Sequence, residues 1–121
     1  MTELAFDVPM KPVSTNRGYR IGQRRFWKTA EFLAYTNAVK LYARRAAMVQ
    51  GWKLTEHPVQ VTLTFRFERS SQDVDGCVKP TLDAMQGVVY ENDRQVTICN
   101  TSKTVGKPAG VHIAIRGLEA P

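Results

Sequence analysis

The sequence has no long apolar run. No stretch approaches the roughly 20 consecutive apolar residues that a membrane-spanning helix needs. The N-terminal segment MTELAFDVPM also lacks the basic stretch, followed by an apolar one, that marks a secretory signal. We therefore expect a cytoplasmic protein with no membrane partner.

Cysteine and histidine are scarce. The two cysteines, Cys77 and Cys99, form neither a CxxC pair nor a ligand pattern with a histidine. His57 and His112 have no nucleophile or second histidine at motif spacing. These absences argue against a zinc site and a disulfide framework, and we expect both thiols to be reduced packing residues.

The sequence shows no boundary between domains. The 121 residues contain 43% hydrophobic residues, and they show no internal repeat or linker-like stretch, which predicts one domain over residues 1–121.

The net charge is +6, and it is unevenly distributed. Residues 1–53 hold ten Lys/Arg and three Asp/Glu, whereas residues 54–121 hold seven and eight. A basic front half favours an anionic partner such as nucleic acid, although solvated surface charge also produces asymmetry.

The first half of the chain predicts strands around one long helix. LAFDV reads as a strand, and Tyr19 to Trp27 as a short hairpin that turns at Gly22-Gln23. From Ala30 to Gln50 apolar residues recur at steps of three and four, which predicts a helix, with Thr29 as its N-cap and Gly51 at its end. The predicted buried stripe comprises Phe32, Tyr35, Val39, Tyr42, Ala46 and Val49.

The second half continues with a strand, a helix and two strands. Strict alternation from Val59 to Phe67 predicts a half-buried strand. A second helix is predicted from about Cys77 to Val89, with Pro80 tolerated because it would lie in the first turn. Val96–Thr104 and Val111–Arg116 read as the last strands. This order predicts an α+β domain with a mixed sheet and two main helices.

Two aspartates follow the strand that ends at Phe67. In an extended backbone Asp73 and Asp75 would face the same side. Two close carboxylates repel each other, and a divalent cation such as Mg²⁺ relieves that repulsion through hard oxygen ligands. Asp93, in the loop after the second helix, is the best third carboxylate, with Glu91 and Asp83 as weaker alternatives. Such a site suits metal-assisted hydrolysis of a phosphodiester.

Lys79 lies four residues beyond Asp75, one helical turn away. Its ammonium can therefore hold a phosphate oxygen or balance developing charge. The plainer interpretation is that Asp73 and Asp75 are turn and cap residues, that Lys79 pairs with Asp75 or Asp83, and that Asp93 belongs to a polar turn. DxD alone is a short, unspecific pattern, and spacing leaves both interpretations open.

A basic cluster near the predicted hairpin suits contact with DNA phosphates, and the aromatic residues Tyr19, Phe26 and Trp27 lie among its members. Lys103 and Lys107 are a second candidate contact. The alternative is that the arginines are solvated and that the aromatic residues pack the hairpin onto the long helix. The cluster comprises Asn16, Arg17, Arg20, Arg24, Arg25 and Lys28.

The combined motifs resemble the RusA family of Holliday junction resolvases. They are Asp73-Val-Asp75, Lys79, Leu82-Asp83-Ala84, the Glu91-Asn92-Asp93 turn before Val96, and the loop from Pro9 to Arg17, which is similar to PxxPxSxNR. The resemblance covers nearly the whole chain. It implies a homodimeric, Mg²⁺-dependent α+β resolvase, with Mn²⁺ as a possible substitute, that makes paired nicks in four-way DNA during recombination and repair and is often encoded by prophages.

Carried over by position, the resemblance makes Asp73, Asp75 and Asp93 the metal-binding catalytic acids and Lys79 the catalytic lysine. The chain departs from the pattern at Gly76, where the family usually has asparagine. That departure leaves open a degenerate enzyme that binds junctions but cuts them slowly. A separate alternative is a module without catalysis, in which the basic front half binds branched DNA and the aspartates only shape a loop. Apart from the resemblance, a dimer is indicated only loosely, by Trp52, Leu54 and Val105, which lie outside the clear core stripes.

Overall fold

The structure is a computed structural model that describes residues 3–15, 19–22 and 25–118, with the backbone alone for 19–22 and 25–28. Within these residues there are two helices and six strands, and a short 3₁₀ helix at Asp93–Gln95. In chain order the elements are β1 (Glu3–Val8), β2 (Tyr19–Gly22), β3 (Arg25–Lys28), α1 (Ala30–Gln50), β4 (Val59–Phe67), α2 (Asp75–Ala84), β5 (Val96–Val105) and β6 (Gly110–Gly117).

Four strands form one mixed sheet in the order β1-β6-β4-β5. β6 pairs antiparallel with both β1 and β4, whereas β5 pairs parallel with β4 and occupies the edge. β2 and β3 form the separate antiparallel hairpin that the sequence predicted. The α+β class, with a mixed sheet and two main helices in one small domain, is therefore confirmed.

Helix α1 has the predicted bounds and caps. The Thr29 hydroxyl accepts a hydrogen bond from the Phe32 amide at 3.2 Å, and Gly51 ends the helix at φ 74°, a conformation that costs glycine little. The predicted stripe is buried at Phe32, Tyr35, Val39 and Ala46. Val49 was predicted wrongly: it is 84% exposed, because the buried face runs through Val39, Ala43 and Ala46 and next reaches Gln50, which bonds to Ala5 of β1.

Strand β4 lies at the centre of the sheet, between β5 and β6. Its alternate residues Val59, Val61, Leu63, Phe65 and Phe67 are buried, as the period of two predicted. These side chains form the middle of the hydrophobic core, so the position at which β4 ends is well determined. The chain leaves the sheet at Phe67 and reaches α2 eight residues later.

Helix α2 begins and ends earlier than predicted, at Asp75 and Ala84 instead of Cys77 and Val89. Met85 and Val89 are buried as their spacing implied, but they are buried by a turn around Gly87, at φ 81°, rather than by a further turn of helix. Pro80 consequently lies inside the helix and not in its first turn. The missing proline N–H leaves the Gly76 carbonyl without its intrahelical partner.

Some of the remaining expectations from the sequence are confirmed, and others are wrong. Cys77 is buried as predicted, but Cys99 is exposed on the edge strand β5; both are free thiols. Trp52 does not belong to an outer surface, because it is buried and its indole N–H donates to the Val89 carbonyl at 2.9 Å. Within the described ranges, no helix has the length and apolar character that crossing a bilayer requires.

Candidate active site

Asp73 and Asp75 lie in the connection from β4 to α2. Asp73 precedes the helix by two residues, and Asp75 is the first helical residue, so the extended backbone expected from the sequence is not what is found there. Both carboxylates are nevertheless exposed, and both line one open cavity of about 910 Å³. The loop from Lys11 to Thr15, which belongs to the segment that resembled PxxPxSxNR, lines the same cavity.

The cavity contains charged residues that the sequence patterns did not single out for this site. Glu31 of α1 and Glu68 add two carboxylates, while Lys11 and Arg69 contribute two cations. Four carboxylates therefore face two basic groups among the lining residues that the structure describes. Arg69 lies four residues before Asp73, which is the one sequence signal that would have found it. Lys11 and Glu31 lie far from Asp73 in sequence, and only the fold brings them near it.

The excess of carboxylates over basic groups in the cavity favours the binding of a metal ion. A phosphodiester entering the cavity would meet a net charge of −2, which a divalent cation between carboxylates would neutralise. Mg²⁺ commonly binds through one or two carboxylates and completes its shell with water and substrate phosphate. Asp73 and Asp75 therefore fit such an ion as hard oxygen donors.

The cysteine in the first turn of α2 is not a candidate nucleophile. Burial, and next the negative charge of Asp75, raise the pKa of the Cys77 thiol to about 11. The reactive species is the thiolate, which is scarce at neutral pH for such a group. Cys77 therefore serves packing, as the sequence predicted.

Asp93 lies apart from the other two aspartates. It begins the 3₁₀ helix, capped by Asn92, and its amide donates to the Gln86 side-chain carbonyl at 2.9 Å. The Lys79 ammonium donates to the Asp93 carboxylate, and to Asp83 Oδ1 at 2.9 Å. Lys79 thus bridges Asp83 and Asp93, the second of which lies 14 residues further along the chain than Lys79. Its side chain is 63% exposed and that of Asp93 is 21% exposed.

This bridge affects the protonation of both partners. The hydrogen bonds to Asp93 and Asp83 raise the pKa of Lys79 above its ordinary value of 10.5. The hydrogen bond from Lys79 lowers the pKa of Asp93 below its ordinary 3.8. Lys79 is therefore an ammonium at neutral pH. It can supply positive charge, but it cannot act as a general base.

No three His, Cys, Asp or Glu side chains approach closely enough to share one metal ion in the part of the chain that the structure describes. A single chain thus does not bring Asp73, Asp75 and Asp93 into one cluster. The plainer interpretation fits only in part. Lys79 does pair with Asp83, but the N-cap of α2 is Val74, with no side-chain cap, so neither Asp73 nor Asp75 is a capping residue. The metal-binding role of the three aspartates stays a prediction.

Helix α2 is held against α1 by a buried hydrogen-bond relay. The Thr81 hydroxyl donates to the Cys77 carbonyl at 2.8 Å, and the Tyr35 hydroxyl lies 2.7 Å from the same Thr81 oxygen. Because Thr81 has one hydroxyl proton, Tyr35 is the donor to Thr81. Burial raises the pKa of Tyr35, so this donor stays protonated. The relay sets the position of the helix that carries Asp75 and Lys79.

Only some of the residues predicted to contact DNA lie within the described ranges. Arg20, Arg25 and Lys28 lie in the β2–β3 hairpin, whereas Asn16, Arg17 and Arg24 lie outside the described residues. Lys107 is exposed in the turn between β5 and β6. Lys103 on β5 donates to two backbone carbonyls, those of Ser70 and Gln72. DNA contact by all of them stays a prediction.

Gly76 has a packing reason. A Cβ added there would lie 3.0 Å from Ser14 Cβ, which is tighter than most Cβ contacts in proteins. Glycine therefore lets the wall of the cavity that contains Ser14 lie directly on the first turn of α2. Asparagine, the residue usual in the family pattern, would require this wall to move.

We expect Gly76→Asn to lower the free energy of unfolding by about 1–2 kcal/mol, as overpacked sites do. Urea denaturation would measure it, with Gly106→Asn as control, because a Cβ at Gly106 makes only an ordinary 3.7 Å contact with Arg66 Cδ. Ser14→Gly combined with Gly76→Asn should recover most of the loss, since it removes the colliding atom. Equal stability of Gly76→Asn and wild type would show that the contact with Ser14 is unimportant.

Comparison with known proteins identifies the family of the chain. The chain matches the protein-family profile described as endodeoxyribonuclease RusA over residues 9–116. The matched range includes the loop that walls the cavity, both aspartates that line it, and the Lys79–Asp93 bridge. A comparison with curated proteins found no match. Because the profile covers nearly the whole sequence, the chain belongs to the RusA endodeoxyribonuclease family, whose nuclease activity is that of Holliday junction resolvases.

Proposed function

We propose that this protein is a Mg²⁺-dependent endonuclease that resolves four-way DNA junctions by paired, symmetric nicks during recombination and repair in the cytoplasm. Mn²⁺ is expected to substitute for Mg²⁺. The observation that carries the proposal is the open cavity into which Asp73 and Asp75 both project, in a chain that belongs to an endodeoxyribonuclease family. The excess of carboxylates in this cavity explains why a cation would be required.

The residues of the chain have separate tasks in this proposal. Asp73 and Asp75 hold the ion, which when bound supplies Lewis acidity toward the scissile phosphate and a more acidic water. Lys11 and Arg69, which line the same cavity, are proposed to hold phosphate oxygens and to orient the strand. Lys79 supplies a permanent positive charge beside Asp93. The basic residues of the hairpin bind more distant phosphates of the junction arms.

Cleavage of an end-labelled synthetic four-way junction tests the proposal. Purified protein should cut two opposite strands at symmetric positions with Mg²⁺ and should not cut with EDTA. Linear duplex of the same sequence is the control for structure selectivity. Tight binding of the junction without cleavage under either metal would instead support a binding module without catalysis.

The proposal includes a homodimer, because a two-fold dimer matches a two-fold substrate and allows one nick for each subunit. Strand β5 supports it. It is a ten-residue edge strand whose nine residues Thr97–Val105 are all exposed, including Ile98 (44%) and Val105 (57%). Long exposed edges of this kind commonly pair with another chain. We therefore place the second copy of the chain at β5.

We expect Ile98→Lys to convert the dimer to a monomer, because a charged lysine on an edge strand opposes strand pairing. Light scattering coupled to gel filtration would measure the mass. Val49→Lys on α1 is the control, since Val49 is even more exposed but lies on another element. If Ile98→Lys stays dimeric, the subunits pair through another surface.

A further inference from the structure

Lys103 joins two parts of the chain that are distant in sequence. It lies on β5 opposite Phe65 of β4. Its ammonium donates to the Ser70 carbonyl at 2.8 Å and to the Gln72 carbonyl at 2.9 Å. Gln72 directly precedes Asp73, so the bond from Lys103 ends one residue before the first aspartate of the cavity. Hydrogen bonds to a charged donor are stronger than those between neutral groups.

The segment that receives these bonds needs support. Residues 68–74 connect β4 to α2 and belong to neither a strand nor a helix. Glu68, Arg69, Ser70, Ser71 and Asp73 are exposed, so packing contributes little to their order. Each end is held by a backbone bond: Gly106 N–H to Phe67 O, and Cys77 N–H to Val74 O, both at 2.9 Å. Between these ends, Lys103 supplies two further bonds.

We propose that Lys103 is a positioning residue of the active site. It fixes the backbone before Asp73 and thereby sets the direction in which Asp73 and Asp75 project into the cavity. The proposal deepens the proposed nuclease function and rests on it. It replaces the role expected from the sequence, in which Lys103 contacts DNA, because the ammonium already has two protein acceptors. Edge strand β5 is then part of the catalytic scaffold.

The two roles predict different losses. A lysine that contacts a DNA phosphate affects the dissociation constant of the junction, and its removal reduces the salt dependence of binding by about one counterion. A positioning lysine affects the turnover rate and the Mg²⁺ requirement, because both depend on where the carboxylates point. Supporting groups around metal ligands typically contribute about 10- to 100-fold to metal affinity or activity.

The experiment compares Lys103→Met, Lys103→Arg and Lys53→Met with the wild-type protein. Lys103→Met keeps the aliphatic stem of an exposed side chain, Lys103→Arg can still donate to both carbonyls, and Lys53→Met removes an exposed lysine from the segment that follows α1. The measurements are turnover at saturating junction, the Mg²⁺ concentration for half-maximal rate, junction affinity in EDTA at two salt concentrations, and amide hydrogen exchange of residues 68–76.

Lys103→Met should lower turnover about 10- to 100-fold. It should also raise the Mg²⁺ requirement and accelerate exchange in residues 68–76, while junction affinity stays within about twofold. Lys103→Arg should recover most of the turnover, and Lys53→Met should resemble wild type. Weaker, less salt-dependent binding by Lys103→Met with unchanged turnover would overturn the proposal, as would unchanged exchange. If the wild-type protein does not cleave the junction, the proposed function fails, and hydrogen exchange still tests whether Lys103 orders the segment.

Discussion

Replacing Asp75 with asparagine is expected to abolish junction cleavage and to leave junction binding intact. The substitution keeps the size of the side chain but removes one of the two carboxylates proposed to hold Mg²⁺ in the cavity. A metal ion contributes several kcal/mol to stabilising the transition state, and losing about 4 kcal/mol slows a reaction about a thousandfold. Folding should change little, because Asp75 is exposed and its favourable interaction with the helix dipole is worth about 0.3–1 kcal/mol.

The direction in which Asp75→Asn changes the affinity for the junction can also be predicted. In EDTA the variant should bind as tightly as wild type or more tightly, because it removes one of four carboxylates that repel phosphate. Gel-shift titrations in EDTA and single-turnover cleavage in Mg²⁺ measure the two properties. Glu91→Gln is the matched control. It removes an exposed carboxylate near Asp93, and it also tests the weaker alternative ligand.

The outcomes for Asp75→Asn separate the alternatives. Cleavage at the wild-type rate would show that Asp75 does not hold the ion. Loss of both binding and cleavage, together with a lower melting temperature, would assign Asp75 a role in folding. Wild-type protein that binds junctions but never cuts would indicate the non-catalytic module or a degenerate enzyme.

Replacing Lys79 with methionine should reduce turnover about 10²- to 10³-fold, the loss typical when one group that stabilises developing negative charge is removed. Stability should fall by less than about 1 kcal/mol, because largely exposed ion pairs contribute little. Lys79→Arg keeps the positive charge and should retain part of the rate. Turnover at saturating junction and thermal unfolding of each variant provide the measurements.

The effect of Lys79 should not vary with pH over the assay range. Its raised pKa means that its contribution is complete below 10.5 and is lost only as pH rises through the folded-state value above that. The lowered pKa of Asp93 means that its contribution is present above 3.8 and is lost as pH falls through a lower value. The ratio of wild-type to Lys79→Met rates should therefore be constant from about pH 5 to pH 9.

A ratio of wild-type to variant rates that is large and constant would indicate that Lys79 takes part in the chemistry. A ratio near one would indicate that the Lys79–Asp93 contact is only a surface ion pair. A ratio that falls toward one within this range would indicate that Lys79 titrates there. That result would contradict the arrangement in which two carboxylates hold the ammonium.

Much of the fold was predictable because local physical rules agreed with it. Alternation from Val59 to Phe67 defined β4, and the stripe from Phe32 to Ala46, with its two caps, defined α1. The second helix was predicted less well. Its apolar spacing continues through Met85 and Val89, which are buried by a turn around Gly87. Burial alone does not distinguish a helix from a turn that faces the same core.

Some features of the candidate site could likewise be predicted from the sequence, and others could not. The sequence itself determined that Lys79 lies about one helical turn beyond Asp75 and that Asp73 lies two residues before it, because short spacing leaves the backbone little freedom. Tertiary structure alone decided that Lys11 and Glu31 line the cavity, that Asp93 lies against Lys79, and that Lys103 holds the segment before Asp73. These contacts join residues from 14 to more than 60 positions apart. Pairing over such distances depends on how the helices and the sheet pack, which no local pattern encodes.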